Sequence, residues 1–407
     1  MSNENSLPTI QVICSTLNQM VNYITIKKFN AEEVYNVTFG ETGNKKKWIS
    51  ENEHWDNNLK SIVGKDKIKD IIINNDNLES INNMTKEIQD KLKDISGPIL
   101  WNITGGQRHL LLAINKIFCE REGDYLCYIE GNSNRIFVFK SEKDKPSQKV
   151  RDEFSADLKE ITVDLALRLM GFEEHSNNFD YKVNFSNGDG EVKANKYSKK
   201  LTPLNELIPS FERLVNNDDF RKKCLAANKK GSENFDNFKD NNNINDYLLN
   251  ELKDEKTGAF GKPFEFMVAA KIKEIIIDKK LPVNEMIVSH KISFSDKEMG
   301  GANNRQIDEL DIVLATSSGK LIIFELKTGS MSSDVAKSTK YSTYAVSGIY
   351  GLPILIVPLK ENEIKEIVGN EDTTKVLRST ISAAKRATLK VWGIDKLEEY
   401  LTDKLKI

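Results

Sequence analysis

The sequence predicts an α/β protein with two sheet-bearing parts, and three observations lead to this fold class. Short apolar runs alternate with amphipathic stretches over residues 8–140, which is the pattern of strands joined by helices in a parallel sheet. A polar, broken stretch over residues 151–257 interrupts this pattern. From Gly258 the order becomes helix, three strands, helix and strand. We therefore expect domains at 1–150 and 258–407, joined by a connector with helices and a hairpin.

Six apolar runs predict the strands of the N-terminal domain. They are Ile10–Cys14, Val34–Phe39, Ile68–Ile73, Ile99–Ile103, Tyr125–Ile129 and Arg135–Phe139. Helices are predicted at Leu17–Phe29, Lys46–Val63, Leu78–Leu92 and Arg108–Cys119. The last helix has apolar residues at positions 110, 111, 114, 117 and 118, which form one face at helical spacing. A short polar turn between the last two strands predicts an antiparallel edge.

The same patterns predict the elements of the connector and the C-terminal domain. In the connector we expect helices at Glu160–Met170 and Leu204–Val215, with a hairpin around residues 187–190. The C-terminal helices are predicted at Pro263–Ile277, at Ser333–Tyr350, after Glu371, and at Lys396–Leu405. The strands are predicted at Met286–Phe294, Ile307–Thr316, Lys320–Lys327, Pro353–Val357 and Thr388–Trp392. The C-terminal order is therefore αβββαβ.

Composition excludes several classes of protein. The chain has 407 residues, of which 39% are hydrophobic and 29% charged. It can therefore bury two apolar cores without disulfide bonds or a structural metal ion. Its 4 cysteines include no C-x-x-C pair, which argues against a zinc site or a disulfide framework. The formal net charge of −2 means that any nucleic-acid site is local. With no leader-like or membrane-spanning apolar run, we expect a cytoplasmic protein that does not enter a membrane.

Acidic residues on two neighbouring predicted strands indicate a catalytic site. Glu325 and Lys327 are two residues apart near the end of an apolar strand, so their side chains face the same side of it. Asp311 lies on the preceding strand. The intervening turn at residues 317–319 is short enough to bring Asp311 beside Glu325.

A third acid completes this predicted cluster. Glu265 borders the apolar face of the helix before these strands, and a buried charge requires a partner or a metal ion. Converging carboxylates are the hard oxygen ligands of Mg²⁺ or Mn²⁺, which activate water and neutralise charge on a phosphoryl group. In this interpretation Glu265, Asp311 and Glu325 bind Mn²⁺ or Mg²⁺, and Lys327 assists the attacking water. Phosphodiester hydrolysis is the reaction that fits.

The same residues also have a purely structural interpretation, in which they form an ion pair without a catalytic role. A lone E-x-K on a strand is usually a solvated ion pair. The additional acid on the adjacent strand and the inward Glu on the helix make the pattern more specific. Asp308 and Glu309 are further acids close to Asp311, and they leave the choice of ligand open.

A glycine-containing turn in the N-terminal domain predicts a second site. The turn follows a predicted strand and leads into a helix, where free backbone N–H groups and the positive helix end favour an anion such as phosphate. Ser15 follows the first strand and would lie at the same edge of the sheet. A plain tight turn is the alternative. The candidate ligand-binding residues are Ser15, Thr104, Gly105, Gly106, Gln107 and Arg108.

The acidic cluster resembles the motif of a known nuclease superfamily. Glu265, Asp311 and the Glu325–Lys327 segment are similar to the helix Glu and the D…ExK motif of PD-(D/E)xK nucleases, which have a restriction-endonuclease-like αβββαβ core. The resemblance covers about residues 258–360. One departure is that Glu309 and Leu310, and no proline, precede Asp311.

The whole chain resembles the CARF-domain nucleases of type III CRISPR systems. A Rossmann-like domain with the turn at Thr104–His109 precedes the nuclease motif, and the segment Ile161–Phe172 is similar to one that follows the CARF domain in this group. The resemblance implies a homodimer whose CARF domains bind a cyclic oligoadenylate, most often cyclic tetra-adenylate. It also implies a nuclease that cuts DNA and/or RNA with little sequence preference.

Three other functions are alternatives to this one. The chain can be an ungated restriction or repair nuclease, which would be active without a nucleotide. It can be a non-catalytic nucleotide-sensing regulator, which would not bind metal. A dinucleotide oxidoreductase is disfavoured because no G-x-G-x-x-G follows the first strand, where the sequence begins Cys14-Ser15-Thr16.

Overall fold

The computed structural model describes most of the chain and divides it into two compact units. The described residues are 7–39, 46–131, 134–142, 148–149, 154–175, 179–194, 203–227, 260–294, 307–348, 351–366 and 375–405. The first unit comprises Met1–Leu158 and Leu165–Phe172, and the second comprises Lys159–Asp164 and Glu173–Ile407.

The first unit contains a β-sheet and the helices that connect its strands. Its strands are β1 Ile10–Cys14, β2 Glu33–Phe39, β3 Ile68–Ile73, β4 Leu100–Asn102, β5 Tyr125–Glu130, β6 Arg135–Lys140, β7 Gln148–Lys149 and β8 Phe154–Ser155. The helices are α1 Met20–Lys28, α2 Lys46–Val63, α3 Ile81–Lys91 and α4 Arg108–Glu120, followed in the chain by α5 Val163–Leu169.

The first sheet is parallel in its centre and antiparallel at one edge. Its order is β3-β2-β1-β4-β5-β6-β7, with β8 paired to β6. The pairs from β3 to β5 are parallel, and β5 with β6 is antiparallel. Residues Val12, Trp101 and Ile114 belong to its buried core. These pairings confirm the predicted parallel sheet with an antiparallel edge. Continuous apolar runs such as β1 suit strands that are covered on both faces of the sheet.

The second unit contains the other sheet and the remaining helices. Its sheet comprises β9 Phe172–Glu174, β10 Tyr181–Asn184, β11 Glu191–Ala194, β12 Val283–Phe294, β13 Asp308–Thr316, β14 Leu321–Leu326, β15 Leu352–Val357 and β16 Lys390–Gly393. The helices are α6 Ile208–Asn216, α7 Asp218–Ala227, α8 Gly261–Lys279, α9 Ser333–Ser347, α10 Glu361–Glu366, α11 Lys375–Arg386 and α12 Leu397–Leu405.

The second sheet has the predicted αβββαβ order at its centre. Its strands run β11-β10-β12-β13-β14-β15-β16, with β9 paired to β12. The strands from β11 to β14 are antiparallel, whereas β14, β15 and β16 are parallel. The α/β fold class is therefore confirmed. The hairpin of β10 and β11, predicted within the connector, is present and extends this sheet through β12.

Helix α8 positions the acidic cluster against the second sheet. Its buried residues are spread around most of the helix and include Glu265 and Lys273, so the surroundings cover more than one face. It contacts β12, β13 and β14 as well as α6. The helix ends at Lys279, and the C-cap residue Lys280 has a left-handed backbone (φ 50°) and donates its N–H to the carbonyls of Ile276 and Ile277. This packing presents the first turns of α8, including Glu265, to the sheet.

Several boundaries differ from the predicted ones for local reasons. Helix α1 begins at Met20, whereas Leu17 was expected. The side-chain oxygen of Asn18 accepts a bond from the Met20 N–H at 3.2 Å, which competes with an earlier helix start. Strands β7, β8 and β9 are too short to produce a periodic signal. Within the described residues, the helices are too short or too polar to cross a bilayer.

Candidate functional site

Strand register places the predicted strand acids side by side. Between β12 and β13, Val288 pairs with Ile312 and His290 with Leu310, so Ser289 lies opposite Asp311. Between β13 and β14, Ile312 pairs with Phe324, and the same register puts Asp311 opposite Glu325. Directly opposite residues project from the same face of a sheet. A row of polar side chains, Ser289, Asp311 and Glu325, therefore crosses the three strands.

Helix α8 adds Glu265 to this row. Glu265 is 6% exposed, and its carboxylate accepts a hydrogen bond from the Ser289 hydroxyl at 2.5 Å. Burial raises the pKa of Glu265, and the neighbouring charge of Asp311 raises it further against the opposing effect of Lys262. The predicted inward orientation of Glu265 is therefore what the structure shows.

Lys327 and Glu325 face the same side of β14, as the alternation predicts. The Lys327 ammonium forms an ion pair with the Glu325 carboxylate. Burial raises the pKa of Glu325, and the adjacent charge of Asp311 adds to this effect. Burial opposes the charge on Lys327, but Glu325 and Asp311 raise its pKa above the ordinary value. Phe324 and Leu326 lie in the apolar core, on the other side of the strand.

The structure distinguishes Asp311 from Glu309, which precedes it by two residues. An Asp311 carboxylate oxygen accepts a hydrogen bond from the backbone N–H of Leu326 at 2.7 Å, which holds it beside the Glu325–Lys327 segment. Glu309 is at the rim, where it lies 3.7 Å from Lys291 and has a 40% exposed side chain. Asp311 is thus the acid that the sheet brings next to Glu325.

Lys262 was not predicted as a site residue, and the structure places it inside the acidic cluster. Its ammonium lies 3.2 and 3.1 Å from the two carboxylate oxygens of Glu265 and also contacts the Ser289 hydroxyl. Asp180 is 3.1 Å from the same nitrogen, and Glu309 is 3.8 Å from it. The sequence signal was the spacing of three residues between Lys262 and Glu265, which puts both on one helix face.

Ser289 and Asp180 carried no sequence signal. Ser289 lies within a strand yet has a left-handed backbone with φ 58°, a strained conformation that is concentrated at functional sites. The Asp180 N–H donates to the carbonyl of Val288 at 2.9 Å, which places Asp180 at the end of the same polar row. The positions of Ser289 and Asp180 in the cluster both depend on strand pairing between segments that are far apart in the sequence.

The acidic side chains of this cluster are of the chemical type that binds hard divalent cations. Carboxylate oxygens are the ligands that Mg²⁺ and Mn²⁺ prefer, and three of them converge from two strands and a helix. In the part of the chain that the structure describes, no three His, Cys, Asp or Glu side chains are arranged as a ready metal site. The carboxylates of Glu265 and Glu325 are instead in contact with Lys262 and Lys327.

The glycine turn of the first unit lies where the sequence predicts it, between β4 and α4. The parallel register of β1 and β4 pairs Val12 with Trp101, so its continuation puts Ser15 alongside Thr104. The Thr104 hydroxyl accepts a hydrogen bond from the Ile129 N–H at 2.9 Å, which fixes the turn to β5. Ser15 is only 2% exposed and therefore lies beneath the surface of this edge.

Close packing explains the two glycines of the turn. Gly106 has φ 110°, and a Cβ there would lie 2.4 Å from the Cβ of Cys14. A Cβ on Gly105 would lie 2.9 Å from a methyl carbon of Thr16. Gln107 stands at the N-cap of α4 with no side-chain cap bond, and Arg108 is exposed in the first turn. The turn thus presents backbone and Arg108 at the N-terminus of a 13-residue helix.

Comparisons with known proteins identify the fold. No family model matches the chain, and no curated protein matches it. The similar solved structures include two that cover nearly the whole chain. Protein VC1899 from Vibrio cholerae has a TM-score of 0.62 and 15% identity, covering 98% of each chain. Can2 from Sulfobacillus thermosulfidooxidans, in complex with cyclic tetra-adenylate, has a TM-score of 0.59 and 14% identity, covering 98% of this chain and 97% of that chain. At these identities, the likeness shows that the chain shares their fold.

Proposed function

We propose that this protein is a metal-dependent nuclease activated by a cyclic oligoadenylate. It cuts DNA and/or RNA with little sequence preference, as a cytoplasmic homodimer of a type III CRISPR defence system. The observation that carries the proposal is the convergence of Glu265, Asp311, Glu325 and Lys327 from one helix and two strands. The shared fold with Can2, whose structure contains cyclic tetra-adenylate, supports the activator.

The catalytic roles follow from the chemistry of the cluster. Glu265, Asp311 and Glu325 would hold Mn²⁺ or Mg²⁺. When bound, such an ion lowers the pKa of a water molecule and neutralises charge on the phosphodiester. The Lys327 ammonium orients the attacking water or stabilises the developing charge on the phosphate. The Leu326 N–H and the Ser289 hydroxyl keep Asp311 and Glu265 in place.

The activator site is proposed at the carboxyl ends of β1 and β4. Ligands of parallel α/β sheets bind at this edge, and phosphates favour the N-terminus of a helix. The proposed contacts are Ser15, Thr104, Gly105, Gly106, Gln107 and Arg108. Activation requires that the cyclic nucleotide binds one arrangement of the dimer more tightly than another.

Cleavage assays with active-site variants test the proposal. Supercoiled plasmid and single-stranded RNA are incubated with the full chain and Mn²⁺, with and without cyclic tetra-adenylate. We expect cutting that depends on the nucleotide and falls by about a hundredfold or more in Glu325→Ala and Lys327→Ala, because each removes a group that acts in the transition state.

Glu398→Ala is a matched control for these variants. Glu398 lies in the same unit but forms an exposed ion pair with Lys279 at 2.6 Å, so its loss is expected to leave cutting unchanged. Full activity of Glu325→Ala would refute the active site. Equal activity without nucleotide would refute the activator and favour an ungated nuclease.

A non-catalytic nucleotide-sensing regulator is the second candidate function. It is favoured by the contacts of Lys262 and Lys327, which already neutralise the carboxylates of Glu265 and Glu325. Calorimetric titration with Mn²⁺ separates the two functions. Binding that is lost in Glu325→Ala supports the nuclease, whereas no binding by the unaltered chain supports the regulator.

A further inference from the structure

A basic and aromatic surface lies on α9 and α11 of the second unit, outside the acidic cluster. Residues 337, 340, 341 and 344 are three or four positions apart, so their side chains share one face of α9. Arg386, at the end of α11, reaches this face by donating hydrogen bonds at 2.7 and 3.2 Å to the Ser333 hydroxyl, one turn before residue 337. The members of this α9–α11 surface are Lys337, Lys340, Tyr341, Tyr344 and Arg386.

Two tyrosine rings project from the α9–α11 surface into solvent. Tyr341 is 77% exposed and Tyr344 is 42% exposed. The ammonium of Lys340 lies 5.8 Å from the centre of the Tyr344 ring. Exposed apolar side chains that cluster on a surface mark interaction sites. Flat aromatic faces beside cations are the groups that bind the bases and phosphates of an unpaired nucleic acid strand.

The positive charge of this surface is not neutralised by nearby acids. Lys340 donates to the Thr388 hydroxyl, and Arg386 donates to a serine hydroxyl of α9. Neither cation forms an ion pair with a carboxylate in the part of the chain that the structure describes. Lys337 is 3.8 Å from Asp334, and its side chain is 68% exposed. Because the whole chain has a formal net charge of −2, this local excess of positive charge favours a polyanionic partner.

The fold connects the α9–α11 surface to the proposed active site. Glu325 pairs with Leu355, so both side chains project from the same face of the sheet. Leu355 belongs to the same apolar cluster as Ala336 of α9, and α9 contacts both β14 and β15. Helix α9 therefore covers the face of the sheet that carries Glu325. The loop after β14 is fixed to α11, because the Thr380 hydroxyl donates to the Gly329 carbonyl at 2.7 Å.

We infer that the α9–α11 surface binds a single-stranded segment of the nucleic acid substrate, with bases stacked on its two tyrosine rings and phosphates beside its three cations. The inference rests on the proposed nuclease function. In a duplex the bases are stacked and paired with their neighbours, so a projecting ring stacks only on an unpaired base. The rise of α9 from Ser333 to Tyr341 is about 12 Å, which a strand of about four nucleotides spans.

A second copy of the chain suits this surface less well than a nucleic acid does. In a symmetric dimer an interface patch meets the same patch of the partner. Such an arrangement would place Lys340 and Arg386 against the same cations of the other copy. Like charges across an interface repel each other, whereas a nucleic acid strand supplies phosphates to every cation.

Fluorescence anisotropy without divalent metal tests the inference separately from cleavage. The full chain in EDTA is mixed with labelled single-stranded DNA, single-stranded RNA and the matched duplexes, with and without cyclic tetra-adenylate. We expect the single strands to bind more tightly than the duplexes. Tyr341→Ala is expected to weaken their binding by about tenfold, and Tyr341→Phe, which keeps the ring, should bind like the unaltered chain. Lys337→Gln should reduce the slope of log affinity against log salt by about 0.7.

Two exposed residues away from this surface provide matched controls. Tyr128, on β5 of the first unit, is 39% exposed, and Tyr128→Ala is expected to leave the affinity for nucleic acid unchanged. Lys396 of the second unit forms an ion pair with Glu399 at 2.6 Å, and Lys396→Gln is expected to leave the salt dependence unchanged.

The outcomes separate this inference from the proposed nuclease. Equal single-strand affinity of Tyr341→Ala and the unaltered chain would overturn the inference, while the cleavage assays decide the nuclease independently. Loss of the dimer in Tyr341→Ala by analytical ultracentrifugation, with unchanged affinity for nucleic acid, would assign the surface to a second copy and also overturn it. Weaker binding by Tyr341→Ala supports the inference even if the unaltered chain cuts no nucleic acid, a result that would overturn only the nuclease.

Discussion

Asp56 shows how a buried acid makes the stability of the first unit depend on pH. It lies on α2, is 5% exposed, and accepts a hydrogen bond from the Gln19 side chain at 2.6 Å. Burial raises the pKa of Asp56 to about 6, and contacts with Ser15 and Asn36 oppose this effect only in part. The folded unit therefore binds a proton at a pH at which the unfolded chain has already released it.

Lowering the pH from 7 to 5 is expected to stabilise the first unit through Asp56. The pKa of Asp56 is higher in the folded unit than in the unfolded chain. The stability that its protonation contributes is therefore present at low pH and lost as the pH rises through about 6. The shift corresponds to at most about 3 kcal/mol. Urea unfolding at both pH values measures the gain in the free energy of unfolding. We expect Asp56→Asn to abolish this gain, whereas Asp76→Asn, at an exposed residue, should retain it. An unchanged pH dependence in Asp56→Asn would contradict this assignment.

Sequence patterns predict some residues of the acidic cluster but not Lys262. Glu265, Asp311, Glu325 and Lys327 were predicted from alternation along a strand and from a helix face, and the structure brings them together. Lys262 was missed because a lysine on a helix is ordinarily solvated. Residues of other strands, such as Ser289 and Glu309, surround Lys262, and the sequence of its own helix does not predict these contacts.

At the scale of elements, the turn between β4 and α4 is the most constrained part of the proposed activator site. Its backbone passes so close to β1 that Gly106 has no room for a side chain. The left-handed φ of 110° excludes other residues independently of the space. The conformation of this turn therefore depends on its packing against the end of β1 as well as on its own backbone geometry.

Gly106→Ala is expected to lose cyclic nucleotide binding and to destabilise the first unit by about 1–3 kcal/mol, because strain and a steric clash coincide. Binding is measured by calorimetry with cyclic tetra-adenylate, and stability by thermal unfolding. Gly97→Ala is the control, since a Cβ there has nothing within 4 Å. Normal nucleotide binding by Gly106→Ala would remove this turn from the proposed site.

At the scale of the whole molecule, the chain has two units with separate apolar cores. Val12, Trp101 and Ile114 belong to the core of the first unit, whereas Phe264 and Phe324 belong to that of the second. A ligand that binds only the folded form stabilises the unit that holds it. The proposed nucleotide and metal sites lie in different units, so their binding should be distinguishable.

Hydrogen exchange should therefore report the two ligands in different strands. Cyclic tetra-adenylate at a hundredfold excess over its Kd is expected to raise the free energy of opening of β1 and β4 by about 2.7 kcal/mol. Mn²⁺ is expected to protect β13 and β14. Mass spectrometry of exchanged peptides measures both, with linear adenine nucleotide as control. Protection of β13 and β14 alone on addition of the nucleotide would contradict a sensor site in the first unit.

The sequence by itself determined the fold class and most elements of the described chain. Strand β1, strand β3 and helix α2 have the predicted boundaries, because hydrophobic periodicity is a property of neighbouring residues. Only the tertiary structure decided that Ser289 and Lys262 enter the acidic cluster and that Ser15 is buried. These facts depend on strand register and helix packing, which join residues far apart in the chain. The helical spacing of Lys262 and Glu265 does not show which residues of other elements surround Lys262.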